Sequence, residues 1–141
     1  MKKHKLLWSS LLSFVIMILL SVSVFAAGFA VKVTDNYGTL RGTMSQSGVY
    51  LNTFTSVTQN QYDGTLHTII QVTDAWNTVI FNSHYVSSTG ALSMSNSTRM
   101  VTIIRTVAYP NAAFATHEVR GGDKDGDWTD TGISIDPTPF Y

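Results

Sequence analysis

The stretch Ala113–Ile135, AFATHEVRGGDKDGDWTDTGISI, decides the fold class. Two short segments mixing apolar residues with threonine flank a run of glycine and aspartate. β-Branched and aromatic residues fit a pleated surface, and Gly and Asp supply tight turns. The stretch therefore reads as a strand over Ala113–Arg120, a two-residue turn at Asp125-Gly126 and a strand over Trp128–Ile135. Just upstream, Tyr109-Pro110-Asn111-Ala112 suits a tight turn, because proline presets the first central dihedral. That turn predicts a hairpin with a strand over Met100–Tyr109, in which Val107 pairs with Phe114. In this register Arg105 lies opposite Thr116 and diagonal to Glu118, on a face otherwise made apolar by Ile103, Val107 and Phe114. A charged pair on such a face is expected to meet as an ion pair, structural in role or at the floor of a ligand groove.

Working outward, the same pattern fills the chain from Val31 on. Threonine occurs 18 times after residue 26, and no run of ten residues has helical periodicity. Turn signals recur at Asn36-Tyr37-Gly38, Ser47-Gly48, Asp63-Gly64, Asn82-Ser83 and Thr89-Gly90. Further strands are expected near Phe29–Thr34, Thr39–Met44, Val49–Val57, Thr65–Thr73, Thr78–Phe81 and Ala91–Ser95. Short strands between regular turns imply an all-β domain, a single small antiparallel β-sandwich of Ig-like or jelly-roll-like type. Asp136-Pro137-Thr138-Pro139 cannot continue a central strand, since proline lacks the ladder donor.

Residues 1–26 have a different composition. Lys2, Lys3 and Lys5 precede an apolar run densest over Leu11–Leu20, and Val24-Phe25-Ala26 places small residues where a signal peptidase reads. This order predicts a cleaved secretory signal peptide over 1–26 and a single all-β domain over 27–141, secreted to the cell exterior. The apolar run is also long enough to span a bilayer, so an uncleaved anchor is the alternative, and the one route to the membrane. Beyond residue 26 there are six basic residues against nine acidic ones, a net of −3. Such a domain has no basic face for nucleic acid and no cationic character for disrupting membranes. It has no cysteine, so it is expected to stand on packing, backbone pairing or a metal. The Lys-rich start without cysteine suggests a bacterial exoprotein.

One motif carries a chemical mechanism. Asp123, Asp125, Asp127 and Asp130 crowd four carboxylates into eight residues. Like charges this close repel unless water or a cation separates them. Asp123, Asp125 and Asp127 occupy positions 1, 3 and 5, with the Thr129 carbonyl at position 7. The segment resembles the start of an EF-hand or dockerin-type calcium loop, and the resemblance implies calcium as cofactor. It departs from that pattern at position 6, where Trp128 replaces the glycine of the sharp turn, and at position 12, where Ser134 replaces the closing acid. The competing reading is a solvated acidic hairpin tip.

Catalytic motifs are missing. The histidines His67, His84 and His117 show no HxH or HExxH spacing and are read as surface or hydrogen-bonding residues. There is no nucleophile elbow, and a lone Glu118 makes a paired-carboxylate glycosidase a poor fit. Tyr62 and Trp128, in or beside loops, are the candidate ligand-binding aromatics, whereas Trp76 and most tyrosines are expected to pack in or around the core. The low-charge stretch His84–Thr98 has the alternation of an amphipathic hairpin, or of a solvated edge strand and loop. The expected function is a non-catalytic exported sandwich that binds a cell-surface or extracellular ligand: a glycan, a wall component or a protein. The alternative is a secreted bacteriocin- or toxin-like effector or pore former, and after that a small hydrolase or inhibitor.

Overall fold

The structure is a computed structural model that describes residues 27–100, 110–122, 124–136 and 139. Eight strands are described: β1 Ala27–Val33, β2 Thr39–Ser47, β3 Tyr50–Val57, β4 Thr65–Thr73, β5 Val79–Val86, β6 Ser93–Arg99, β7 Ala112–Arg120 and β8 Asp127–Ser134. They form two antiparallel sheets of four, ordered β1-β2-β3-β6 and β5-β4-β7-β8. The sandwich architecture expected from the turn spacing is present. The signal segment over 1–26, Asp123 and the strand expected over 101–109 lie outside the described residues.

Period-two alternation builds the core. Leu66, Thr68, Ile70 and Val72 of β4 point inward and meet Leu51, Thr53, Thr55 and Val57 of β3. The buried apolar residues fall into two clusters. One contains Met44, Leu51, Ile70, Val72, Met100, Ala113, Ala115, Ile133 and Ile135; the other contains Tyr37, Leu40, Val57, Leu66 and Val119. The two margins where the sheets meet are also tied. On one side a Cβ on Gly28 would come 2.9 Å from the Gly132 carbonyl oxygen, so β1 and β8 approach backbone to backbone. On the other, the Tyr85 and Thr98 hydroxyls bond at 2.8 Å between β5 and β6.

Between the clusters runs a polar belt. His117 is fully buried, with Nδ1 2.7 Å from Thr55 Oγ1 and Nε2 2.8 Å from Thr131 Oγ1. Thr55 Oγ1 is in turn 2.6 Å from Thr68 Oγ1. The imidazole thus joins the first sheet, through Thr55, to the second. It lies against Gly42, where a Cβ would come 2.2 Å from the ring. A neutral imidazole has one donor and one acceptor, and two hydroxyls satisfy both. Burial holds the His117 pKa down to about 4 against a smaller opposing pull from Asp130, so the ring is neutral at pH 7.

Several local expectations are corrected. Both ladders of β7 are occupied, one by β4 and the other by β8, and Phe114 pairs with Gln71 and Gly132 rather than Val107. The inward face of β7 carries Ala113, Ala115, His117 and Val119, so Phe114 and Glu118 face outward, and Glu118 pairs with Arg120 of its own strand. Arg105 lies outside the described residues. The β7–β8 register makes Val119 and Asp127 partners, so residues 121–126 form the connection and Asp125-Gly126 is not a two-residue turn. Among its described residues Gly121 and Gly122 are left-handed, with a positive φ that only glycine adopts freely. β5 and β6 belong to different sheets, so His84–Thr98 is no hairpin but parts of two edge strands with a loop between.

Candidate functional site

The acidic segment was the first candidate. Tyr37, buried and donating its hydroxyl to the Gly121 carbonyl at 2.8 Å, pins the loop from below. Asn36 Nδ2 donates to the Asp125 carbonyl at 3.2 Å. Asp127 and Asp130 then sit on extended β8 three residues apart, which puts their side chains on opposite faces. Asp127 pairs with Lys32 of β1, and Asp130 accepts the Thr116 hydroxyl at 2.7 Å. Asp125 is exposed. Among the described residues no three metal-ligating side chains converge. The described aspartates are therefore placed along one strand and its loop, not around one point.

The aromatic candidates separate in the same way. Trp128 is 55% exposed on the outer face of the second sheet, with Lys32 Nζ 5.7 Å from its ring centre. Tyr62 is half-buried, edge-on to Tyr37 with ring centres 6.2 Å apart, and Lys124 covers it. Trp76 does not pack in or around the core. It is 82% exposed at the tip of the β4–β5 hairpin, where Asp74 Oδ1 accepts the Trp76 and Thr78 amides at 2.9 Å.

The two outer faces differ in chemistry. On the first sheet the cross-strand rows read Val31, Arg41, Ser56, Ser93; then Phe29, Thr43, Phe54, Ser95; then Ala27, Ser45, Asn52, Ser97; then Ser47, Tyr50, Arg99. These outward positions carry hydroxyls, an amide, aromatic rings and, in the outermost rows, Arg41 and Arg99, with no acid among them. Thr43, Ser45, Asn52, Phe54, Ser95 and Ser97 line a shallow depression of about 350 Å³ at the centre. The Ser97 hydroxyl donates to Asn52 Oδ1 at 2.8 Å and so orients that amide. Sequence reading missed this surface because its residues come from three strands, and hydroxyl-rich alternation is also what any solvated strand face shows.

On the second sheet the corresponding rows read Val86, His67, Glu118, Trp128; then His84, Ile69, Thr116, Asp130; then Asn82, Gln71, Phe114, Gly132. This face is titratable. His67 Nε2 is 2.8 Å from Thr65 Oγ1, and His67 Nδ1 is 2.8 Å from His84 Nε2. Its carboxylates are engaged, Glu118 by Arg120 and Asp130 by Thr116. His117 and Glu118, adjacent in sequence, face opposite sides of β7, so they cannot share a site.

Comparison with known proteins adds no family: no family model matches this chain, and no characterised protein or solved structure shows a significant similarity to it.

Proposed function

We propose that this chain is an exported, non-catalytic binding module that holds an uncharged extracellular glycan on the outer face of its first sheet. The observation that carries the reading is the placement of Phe54 among Thr43, Ser45, Asn52, Ser95 and Ser97 in one shallow depression without an acid. A sugar ring offers apolar C–H faces to an aromatic side chain and a rim of hydroxyls to short polar ones. Phe54, 37% exposed at the middle of the sheet, offers the stacking surface. The surrounding hydroxyls and the oriented Asn52 amide supply donors and acceptors of matching size. Tyr50 and Phe29, both exposed, extend the platform to either side. Export, read from the segment over 1–26, brings such a module to wall and surface polysaccharides.

Affinity electrophoresis in gels cast with neutral wall polysaccharides tests the reading. Retarded migration that Phe54→Ala abolishes, with an unchanged circular dichroism spectrum, is expected. Free migration in every polysaccharide, or retardation that Phe54→Ala leaves intact, overturns it.

A further inference from the structure

We propose that His67 and His84, on the outer face of the second sheet, form a two-imidazole site for a zinc ion. The site stands apart from the glycan surface, so the two readings fail independently. The register places Ile69 opposite His84 and Val86 opposite His67, which makes the two histidines diagonal neighbours on adjacent strands. Cross-strand neighbours of this kind lie within reach of each other's side chains. His67 sits on β4, which pairs on both sides and holds its position firmly.

The rings meet head-on. Their centres are 5.1 Å apart, their planes differ by 27°, and the facing nitrogens are 2.8 Å apart. One proton holds them together, and the direction of the chain follows from Thr65. Its single hydroxyl proton goes to the Arg120 carbonyl at 3.2 Å. Thr65 Oγ1 then accepts from His67 Nε2–H, and His67 Nδ1 accepts from His84 Nε2–H. His67 is neutral in this arrangement, with its one proton on Nε2. Burial, then the Arg120 charge and His84, push the His67 pKa below its usual value, against an opposing pull from Glu118. The neutral form is the one a metal takes.

The distances suit a tetrahedral ion. With zinc–nitrogen bonds of about 2.0–2.1 Å and a tetrahedral angle between them, two imidazole centres stand about 5.2 Å apart. These rings already have that separation, so a turn of each ring, without movement of the strands, points both nitrogens at one ion. Binding moves the His84 proton from Nε2 to Nδ1 through solvent, so His84 coordinates as a neutral imidazole. The Thr65 hydroxyl remains on the outer nitrogen of His67 and fixes its tautomer, the usual arrangement behind a metal-bound histidine. Glu118, directly across the β4–β7 ladder from His67, stays paired with Arg120, so the described residues supply two imidazoles. Water completes the shell.

Untagged protein titrated calorimetrically with zinc chloride tests this. One ion per chain is expected, with affinity at least ~10-fold weaker in His84→Ala and in His67→Gln, and roughly 10-fold weaker in Thr65→Val. His84 is exposed on an edge strand, so its variant keeps the fold, checked by circular dichroism. Imidazole ¹⁵N shifts should move at His67 Nδ1 and His84 Nε2 on zinc addition. Absence of zinc binding, imidazole shifts that zinc does not move, or binding that His84→Ala leaves unchanged overturns the proposal; in that last case loss in Asp125→Asn would place the ion in the acidic loop.

Discussion

The second sheet carries histidines on both of its faces, and the pleat between them separates two kinds of chemistry. Thr68 and His117 are partners on the β4–β7 ladder and point inward; one residue along, His67 and Glu118 are partners and point outward. Inside, the imidazole has two fixed hydroxyl partners and no access to water. Outside, His67 and His84 share one hydrogen bond, and His84 is exposed. The same side chain is thus a structural tie on one face and an available ligand on the other. Burial and completeness of hydrogen bonding make the difference, not residue type.

The sharpest way to break this comparison is to disturb the inner imidazole. Gly42→Ala places a methyl 2.2 Å from the His117 ring and forces it out of both hydrogen bonds. Overpacking and the orphaned hydroxyls together should cost about 3–5 kcal/mol in denaturant unfolding. His117→Ala should cost a similar amount by leaving a cavity, removing the imidazole from Thr131 and leaving Thr55 only its bond to Thr68. The two losses have one cause, so the double variant should be more stable than their sum predicts by at least ~1 kcal/mol. Additive losses would mean that Gly42 and His117 act independently, and the account of the belt would fail.

The pH response is next in size. An unfolded histidine takes up its proton near pH 6.5, whereas His117 in the folded protein stays neutral down to about 4. Between these values the unfolded state binds more protons, so stability falls as pH drops from 6.5 towards 4 and loses nothing further from this residue below that. The integrated loss is about 3 kcal/mol. Chemical denaturation at pH 7, 5.5 and 4 measures it. A His117→Leu variant, though less stable at pH 7, should have a flatter profile across this window, and an equally steep profile would assign the acid sensitivity to other groups.

How much of this was legible in the sequence depends on the range of the interaction. Strand positions follow from local alternation, and Thr65–Thr73 was placed to the residue. Pairing across the sandwich does not. Pro110-Asn111 has the chemistry of a tight turn, yet the neighbours of β7 are set by inward packing of Ala113, Ala115, His117 and Val119, which no dipeptide reports. Gly42 and His117 are far apart in sequence, and each looks ordinary alone. The His67–His84 pair was nearer to reach. Both lie almost equidistant from Trp76 at the hairpin tip, and extending β5 from Phe81 to Val86 brings them to diagonal positions. Spacing in the acidic segment matched a ligand pattern, but it could not show that Asp127 and Asp130 lie on a strand, three residues apart and on opposite faces.

The smaller effects separate the two faces most cleanly. Thr131→Val keeps the shape of the side chain but leaves His117 Nε2 with no partner on that side, and should cost about 1–2 kcal/mol. His84→Ala removes the outer hydrogen bond at an exposed edge position, where water replaces the lost partner, and should change stability by no more than about 0.5 kcal/mol. Both substitutions delete one hydrogen bond to an imidazole nitrogen, and the two bonds have the same 2.8 Å length. Their ratio in a paired denaturation experiment therefore measures what burial adds to a hydrogen bond of fixed geometry. Equal costs would mean that the outer pair is held as tightly as the inner one, leaving His67 and His84 no freedom to turn towards an ion.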